Sequence, residues 1–331
     1  MNVLLVTPNF HQARGNTITV KRISDGLNNL GIHTEIISMT EETEYTSIPD
    51  ADIVHGFHAY TFYQFLQQLD EKPKSYVITM TGTDLNHFLF NERTREDVLQ
   101  CLKDADAVHV FNNEAKQIVL KEIPEVADKL FMLPQGLSTF KPVDTLFKKE
   151  VDTFLFILPA GIRKIKNVPF AISSLAKLHK ENPRIRLWLV GPILEEDEGT
   201  KVQHLVDANS DWVTYLGQVP HEQMGALYSL ADCILNTSIS EGQSSAILEA
   251  MQYGLPVLVS DNEGNKDIVK NLETGFIYHS EDQFLDYANQ IMNNIRLRQV
   301  ICANAKNYIT KQHLDVDEAH VLLTIYKQIL T

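Results

Sequence analysis

The chain has 331 residues, of which 44% are apolar and 22% are charged, and its formal net charge at pH 7 is −14. This length is sufficient for two domains, each with its own hydrophobic core. The acidic balance argues against a nucleic-acid partner, because such binding neutralises phosphates with basic side chains, and it argues against adhesion to an anionic membrane surface.

Short apolar runs that are typical of β-strands alternate with stretches of helical periodicity along the whole chain. We predict strands at residues 2–7, 34–38, 52–56, 75–80, 107–111 and 130–133, and again at 153–158, 185–190, 212–216, 233–236, 256–259 and 275–278. Helices are predicted between most of these strands, among them 17–30, 94–103, 168–180, 198–208, 221–230 and 244–253. Strands that alternate with helices form parallel βαβ units.

The alternation restarts near residue 150, after the polar segment STFKPVDTLFKKEVD. The sequence therefore predicts an α/β protein with two tandem Rossmann-like, doubly wound domains. The final stretch, DVDEAHVLLTIYKQIL, repeats apolar residues at helical spacing and needs a partner surface for that face. We predict an N-terminal domain at 1–145, a C-terminal domain at 146–312, and a helix at 313–331 that packs back on the N-terminal domain.

Cysteine usage and hydropathy predict the compartment. Cys101, Cys233 and Cys302 lie far apart in apolar surroundings without C-x-x-C spacing, which is typical of buried thiols in a reducing cytosol. No apolar run approaches the ~18 residues of a membrane span. The start, MNVLLVTPNF, lacks a basic segment and is interpreted as a first strand rather than a signal peptide. We expect a soluble, cytoplasmic protein without integral membrane association, and the oligomeric state is open.

Three Asp-x-Asp pairs are candidate metal ligands, at 50–52, 104–106 and 315–317. The first two precede predicted strands, which places them at the end of the sheet opposite to the one that binds ligands. The third begins the terminal helix. We therefore predict no metal site and no cofactor, since cationic side chains and helix dipoles can supply positive charge instead.

The stretch SISEGQSSAILEAM, residues 238–251, places two glutamates around a small polar turn between a strand and a helix. Ligands of open parallel sheets bind where strands end and the next helices begin. Ser244 is a good N-cap residue, and Gly242 allows the backbone to approach a ligand closely. The carboxylate of Glu249 can accept from two neighbouring hydroxyls, as a ribose diol offers. Taken alone, Glu241 and Glu249 could equally be solvated residues near a helix start.

This stretch and the following AMQYGLPVLVSDNEGNKDIVKNLETGFIY resemble the family-four retaining glycosyltransferases, whose donor site has two glutamates separated by seven residues. PQGLSTFKP, AGIRKIKN and YLGQVPHEQMGALYSLADCIL, at 134–142, 160–167 and 215–235, are similar to further segments of that family in the same order. The resemblance spans nearly the whole chain and implies the two-domain GT-B fold. GNTITVKR and TGTDLN, at 15–22 and 81–86, resemble a subgroup that holds the glycosyltransferase-one-domain-containing protein and the bacterial selenosugar synthases.

The resemblance also implies catalytic residues. Arg163 and Lys166 should clamp the donor diphosphate and stabilise its charge as it leaves. The loop between them is shorter than is usual in the family, so Lys164 is a competing candidate for this role. Glu241 should contact the transferred sugar or lie near the leaving phosphate. Gly264 and Asn265 stand where the family frequently has a Gly-Gly pair.

Further residues are expected to bind the two substrates. Glu249 should hold the donor ribose, and backbone amides of the turn should face the donor. Asn16 could instead simply cap the first helix. The expected donor-binding residues are Glu249, Gly242, Gln243, Ser244, Ser245, Gly15 and Asn16, and the expected acceptor or sugar contacts are Arg14, Thr83, Asp84 and His58.

We interpret the chain as a retaining, metal-independent glycosyltransferase that moves a sugar from a nucleotide-sugar, with UDP as the expected nucleotide, to a small soluble acceptor. Only three cations against seven acids occur in the first 60 residues, which disfavours a lipid acceptor. Alternatives are selenosugar synthase-like transfer to selenophosphate, a UDP-sugar epimerase of the same fold, or a non-catalytic sugar-nucleotide binding protein. A nicotinamide dehydrogenase is disfavoured because the first loop, TPNFHQARGNT, lacks G-x-G-x-x-G.

Overall fold

The computed structural model describes residues 1–12, 15–41, 45–138, 140, 147–314 and 317–331. The chain divides into two compact units, the first made of Met1–Gly136 with Gln312–Thr331 and the second of Leu137–Lys311. Arg14, an expected acceptor contact, lies outside the described residues. Within the described residues, no helix combines the length and the apolar character that a membrane span requires.

The first unit is built on a parallel sheet whose described strands follow the order β2-β1-β3-β4-β5-β6. Its strands are β1 Asn2–Thr7, β2 His33–Ser38, β3 Ile53–Phe57, β4 Tyr76–Thr79, β5 Ala107–Val110 and β6 Leu130–Met132. The helices between them are α1 Gly15–Asn29, α2 Ala59–Leu66, α3 Gly82–Asn86, α4 Arg95–Asp104 and α5 Asn113–Glu122. The order of the strands reverses between β1 and β3, so a crevice for a ligand is expected beyond the carboxyl ends of these two strands.

The second unit contains a parallel sheet of order β12-β11-β10-β7-β8-β9. Its strands are β7 Phe154–Pro159, β8 Ile185–Val190, β9 Val213–Tyr215, β10 Cys233–Asn236, β11 Val257–Ser260 and β12 Phe276–Tyr278. The helices are α6 Val168–Glu181, α7 Glu196–Asp207, α8 Met224–Leu230, α9 Ser245–Gln252, α10 Glu263–Ile268, α11 Glu281–Asn293 and α12 Ile295–Ile309. Here the order reverses between β7 and β10.

Burial explains why these segments form central strands. Every residue of β3 and of β10 is buried, as expected for parallel strands covered on both faces by helices. Local signals fix the helix starts: the side chain of Ser280 accepts from the backbone amide of Gln283 at the start of α11, and a proline stands in the first turn of α6. The predicted α/β fold with two doubly wound domains is therefore confirmed.

The last helix, α13 Glu318–Ile329, belongs to the first unit and packs on α1. A Cβ atom added at Gly26 would lie 2.8 Å from the Cβ of Ala319, so the two helices approach closely. Arg22 of α1 donates from Nε and Nη2 to the two carboxylate oxygens of Glu318, at 2.8 and 3.0 Å. Both side chains of this bidentate pair are largely buried, which fixes the register of α13 against α1.

Candidate functional site

The strand reversal of the second unit brings two loops together. We call residues 160–167, which follow β7, the basic loop, and residues 237–244, which follow β10, the donor turn. The amide of Ile239 donates to the carbonyl of Ile165 at 2.8 Å, and the hydroxyl of Thr237 donates to the carbonyl of Lys166 at 2.9 Å. These bonds hold the two loops side by side at the end of the sheet where ligands bind.

Glu241 of the donor turn is the centre of a polar cluster. Its Oε1 accepts from Nζ of Lys166 at 2.5 Å, from Oγ of Ser238 at 2.6 Å and from Nδ2 of Asn236 at 3.0 Å. Burial acts to raise the pKa of this carboxyl group, but the charge of Lys166 and the hydrogen bonds outweigh it, so the pKa is lowered and the group is ionised. The other oxygen, Oε2, has no hydrogen bond among the described residues.

The three basic residues of the basic loop have different environments. Lys166 is engaged by Glu241, and its side chain is 17% exposed. Lys164 is exposed to solvent. Arg163 is half-buried, and its Nε has no hydrogen-bond partner within the described part of the chain. A buried guanidinium nitrogen without a partner has capacity to bind an anion such as a phosphate.

A second layer of asparagines and serines supports the donor turn, and the sequence reasoning did not identify it. The carbonyl of Ser238 accepts from Oγ of Ser260 at 2.6 Å and from Nδ2 of Asn262 at 2.9 Å. Asn265 donates from Nδ2 to Oδ1 of Asn236 at 3.3 Å and to the carbonyl of Ser260 at 2.9 Å. The sequence did contain a signal for this layer. The apolar strand CILN ends in a polar residue, Asn236, and a buried polar group requires hydrogen-bond partners.

Gly264 explains how closely this layer packs. A Cβ atom added at Gly264 would lie 1.7 Å from the carbonyl oxygen of Gly242 and 2.6 Å from that of Glu241. The start of α10 is therefore in direct backbone contact with the donor turn. Only glycine permits this approach.

The start of α9 differs in one detail from the prediction. Ser244 does occupy the N-cap position, but its side chain makes no capping hydrogen bond. Its Oγ lies instead 3.5 Å from Nδ2 of Asn236, and Ser245 is the first helical residue. Gln243 donates from Nε2 to Oδ2 of Asp267 at 2.8 Å. The hydroxyl of Ser244 therefore does not cap the first amides of α9.

Glu249 lies on α9 and is only 3% exposed. Its Oε1 accepts from Nε2 of His221 at 2.8 Å, and its Oε2 accepts from the hydroxyl of Tyr228 at 2.8 Å. The ring of Phe140 stands edge-on to His221 with the ring centroids 5.0 Å apart. His221 and Tyr228 lie in the segment 215–235 that resembles the family, but the sequence did not single them out, because they contact Glu249 from 28 and 21 positions away.

Except for Arg14, which lies outside the described residues, the expected residues of the first unit lie at the carboxyl end of its sheet. Gly15 and Asn16 are the first two residues of α1, so Asn16 lies inside the helix and is not its cap. A Cβ atom at Gly15 would meet nothing within 4 Å, so the backbone there is open on that side. Thr17 donates from Oγ1 to the carbonyl of Gln12 at 2.8 Å, which ties the helix to the loop before it.

His58 follows β3 directly, at the strand reversal of the first unit. Its backbone φ is +74°, a left-handed conformation that is strained for a residue with a side chain and is concentrated at functional sites. Its Nδ1 accepts from the amide of Thr61, in the first turn of α2, and lies 3.0 Å from the hydroxyl of that residue. The ring of His58 stands edge-on to that of Phe88. The position agrees with a ligand contact, and the N-cap bond also gives it a structural role.

Thr83 and Asp84 lie on α3 but differ in exposure. Thr83 is exposed, so it is available to a ligand. Asp84 is fully buried: Oδ1 accepts from the amide and the hydroxyl of Thr81 at 2.7 and 2.8 Å, and Oδ2 accepts from the amide of Ala59 at 2.7 Å. These bonds connect the starts of α2 and α3. The structure therefore gives Asp84 a structural role and does not support the expected contact with an acceptor.

Described aspartates of the three Asp-x-Asp pairs have structural contacts, and Asp315 lies outside the described residues. Asp52 accepts from the amide of Asn2, and Asp106 accepts from the amide of Tyr76, so each holds the amino end of a neighbouring strand. Asp317 caps α13 by accepting from the amide of His320. In the part of the chain that the structure describes, no group of three or more His, Cys, Asp or Glu side chains is placed to hold a metal ion.

Comparisons with known proteins find relatives that match most of the chain. The chain is 26% identical over 313 residues to glycosyltransferase 1 domain-containing protein 1 of Xenopus tropicalis, and the match covers 90% of each chain. It is 25% identical over 264 residues to alpha-monoglucosyldiacylglycerol synthase of Acholeplasma laidlawii, which covers 71% of this chain and 64% of that protein.

Solved structures share the fold. Sucrose-phosphate synthase from Thermosynechococcus elongatus superposes with a TM-score of 0.79 at 17% identity and 99% coverage of both chains. Anabaena HepE in complex with UDP-glucose superposes with a TM-score of 0.74 at 16% identity, covering 99% of this chain and 98% of that one. Residues 144–308, which include the basic loop, the donor turn and α9, match the family model described as glycosyl transferases group 1. This segment of the chain is therefore a group 1 glycosyltransferase domain.

Proposed function

We propose that the chain transfers a sugar from a nucleotide-sugar, with UDP as the nucleotide, to a small soluble acceptor, with retention of configuration and without a metal ion. The observation that supports this best is the buried, ionised Glu241, which pairs with Lys166 beyond the ends of β7 and β10. Its Oε2 makes no hydrogen bond to any described residue. A carboxylate in this state can accept a hydrogen bond from a sugar hydroxyl. HepE, a protein of the same fold, is solved with UDP-glucose, which favours UDP as the nucleotide.

Each half of the donor has a place in the second unit. Glu249 takes the ribose, and the amino end of α9 together with the guanidinium of Arg163 takes the diphosphate. Lys166 is already paired with Glu241, so we assign it first to holding that carboxylate and Arg163 to the phosphates. Glu241 then meets the transferred sugar.

The proposed reaction is a front-face substitution. The bond between the anomeric carbon and the diphosphate oxygen breaks, and the bond to the acceptor oxygen forms on the same face of the sugar. The acceptor proton moves to the departing phosphate oxygen, so no side chain has to act as the base. The contribution of the protein is electrostatic: Arg163 and the start of α9 stabilise the negative charge that develops on the diphosphate.

The acceptor is proposed to be small and soluble, and the protein cytoplasmic, because the N-terminal segment holds few cations for an anionic lipid surface. The alternative is a lipid acceptor, because one relative is named as a synthase of a glucosyldiacylglycerol. Sedimentation with anionic liposomes separates the two. We expect the protein to remain in the supernatant, and liposome binding together with transfer to a lipid would contradict the proposal.

The deciding experiment incubates the full chain with a panel of nucleotide-sugars, with and without small acceptors that include selenophosphate, and measures nucleotide release and the product. We expect acceptor-dependent release with one UDP-sugar, an α-linked product from an α-linked donor, and full activity in excess EDTA. Glu241→Ala should lower turnover while UDP binding by calorimetry stays close to wild type.

Other outcomes would contradict the proposal in distinct ways. Conversion of the donor sugar without an acceptor would identify an epimerase. Binding of the nucleotide-sugar without release in any combination would identify a non-catalytic binding protein. Activity that disappears on chelation and returns with manganese or magnesium would contradict metal independence, and an inverted product would contradict retention.

A further inference from the structure

The two glutamates of the donor site use their oxygens differently. A carboxylate accepts hydrogen bonds only, so Nε2 of His221 and the hydroxyl of Tyr228 must both donate to Glu249. They do so to different oxygens, one bond to each, both at 2.8 Å. Glu241 instead receives its three donors on a single oxygen, Oε1.

This difference determines which hydroxyl pattern each carboxylate fits. A carboxylate has about four lone-pair sites, two on each oxygen. Glu249 keeps one site on each oxygen, which matches a vicinal diol that offers one hydroxyl to each. Glu241 keeps Oε2 entirely, which matches a single hydroxyl or a close pair on one side. The contacts thus favour the ribose diol at Glu249 and a sugar hydroxyl at Glu241.

The donors to Glu249 come from outside its own helix. His221 begins a short 3₁₀ turn at His221–Gln223, and Tyr228 lies on α8, which follows it. The ring of Phe140 packs edge-on against both, with centroid distances of 5.0 and 6.0 Å. These ring contacts limit the side-chain conformations of His221 and Tyr228. The two hydrogen bonds in turn limit the orientation of the Glu249 carboxylate.

Fixing the carboxylate in advance has a physical benefit. A free glutamate side chain has several rotamers, and holding it in one of them before the ligand arrives removes an ordering cost from binding. Glu249 is nearly fully buried, so a misplaced carboxylate would not meet the diol at all. Sites of this kind require supporting hydrogen bonds on the residues that touch the ligand.

We propose that His221 and Tyr228 are positioning residues that hold Glu249 in the orientation that binds the ribose diol of the donor nucleotide. The proposal rests on the proposed function in one respect only, namely that Glu249 binds the ribose. It predicts that the two residues act on recognition of the diol and leave the rest of the nucleotide unaffected.

The test measures binding of UDP, GDP and ADP to the full chain by calorimetry, and then binding of the 2′,3′-dideoxy form of the best ligand. We expect wild type to prefer the ribonucleotide. His221→Ala and Tyr228→Phe should each weaken ribonucleotide binding about tenfold, as expected for losing one hydrogen bond to a charged group, while dideoxynucleotide binding changes less than about twofold. His221→Gln should restore the affinity, because the Gln amide can donate from the position of Nε2.

Tyr253→Phe is the matched control, because the hydroxyl of Tyr253 makes no hydrogen bond to Glu249 although its ring packs on that of Tyr228. Its affinities should equal those of wild type. Thermal melting of every variant checks folding. Since His221 is partly exposed, His221→Ala in particular should fold normally.

Contrary results separate this inference from the proposed function. If Glu249→Ala weakens ribonucleotide binding but His221→Ala and Tyr228→Phe do not, the positioning role is wrong and the donor site stands. If the two variants weaken both nucleotide forms equally, their role is general folding and the inference is wrong. If Glu249→Ala binds as well as wild type, or if wild type binds none of the three nucleotides, the ribose assignment and this inference both fail.

Discussion

Replacing Tyr326 by phenylalanine should loosen the last helix of the first unit. The hydroxyl of Tyr326 lies 2.6 Å from Nδ1 of His55, whose Nε2 lies 2.6 Å from Oγ1 of Thr79. That oxygen lies 2.8 Å from Nδ1 of His109, whose Nε2 lies 2.9 Å from the carbonyl of Leu133. These hydrogen bonds connect four side chains into one polar chain through the apolar sheet. All four side chains are almost completely buried.

The direction of every bond in this chain follows from its last acceptor. The carbonyl of Leu133 can only accept, so His109 donates from Nε2 and accepts at Nδ1 from the single proton of Thr79. Thr79 must then accept from Nε2 of His55, which leaves Nδ1 of His55 to accept from Tyr326. Burial, together with repulsion between the two rings, lowers the pKa of His55, and burial lowers that of His109, so both are neutral, as this pattern requires.

The cost of Tyr326→Phe follows from this direction. Among the described residues, Tyr326 alone donates to Nδ1 of His55, so the variant leaves a buried acceptor unpaired, which costs about 1–3 kcal/mol. If α13 opens locally, its amide exchange should accelerate by about 5- to 150-fold, the factor that corresponds to this free energy. Hydrogen–deuterium exchange of Glu318–Ile329, followed by mass spectrometry, measures this directly.

The control is Tyr63→Phe on α2, because the hydroxyl of Tyr63 has no hydrogen bond among the described residues and its loss should leave exchange in α13 unchanged. An exchange rate in α13 of Tyr326→Phe within about twofold of wild type would refute the directional chain. Equal acceleration throughout both units would also refute it, since the contact is local to the first unit.

Three further predictions concern pH and the donor site. Folding lowers the pKa values of His55 and His109, so below about pH 6.5 the unfolded chain binds protons that the folded chain does not. The stability of the protein should therefore fall as the pH drops from 7.5 to 5.5. An unchanged calorimetric transition over this range would contradict the prediction. Gly264→Ala should destabilise the second unit by about 1–3 kcal/mol, because the new methyl group overlaps a backbone carbonyl; tryptophan fluorescence during denaturation measures this, and a wild-type midpoint would contradict it. Lys166→Met should raise the pKa of Glu241 and lower turnover at pH 7 by about 100-fold or more, because the carboxylate loses its charged partner. Lys166→Arg, which keeps the charge, should be less affected. Equal rates of nucleotide release by the two variants would contradict the pairing.

Much of the architecture was predictable from the sequence. Strands at 2–7, 185–190 and 233–236 have the predicted bounds, and the other predicted strands differ from the observed ones by one residue at one or both ends. This succeeds because a parallel strand buried on both faces is a short continuous apolar run, bounded by polar turns. The donor turn was located for the same reason, since it must follow such a strand.

The sequence by itself determined the two doubly wound domains and the loops at their ligand-binding ends, because these follow from local periodicity. Only the tertiary structure decided which partners the polar residues have. Lys166 meets Glu241 across 75 positions, and Tyr326 meets His55 across 271. Pairings at such separations depend on strand order and helix packing, which no local pattern encodes. The same limit applies to Asp84, which was expected to contact the acceptor or the sugar. Its burial and its hydrogen bonds from the amides of Ala59 and Thr81 and the hydroxyl of Thr81 give it a structural role instead.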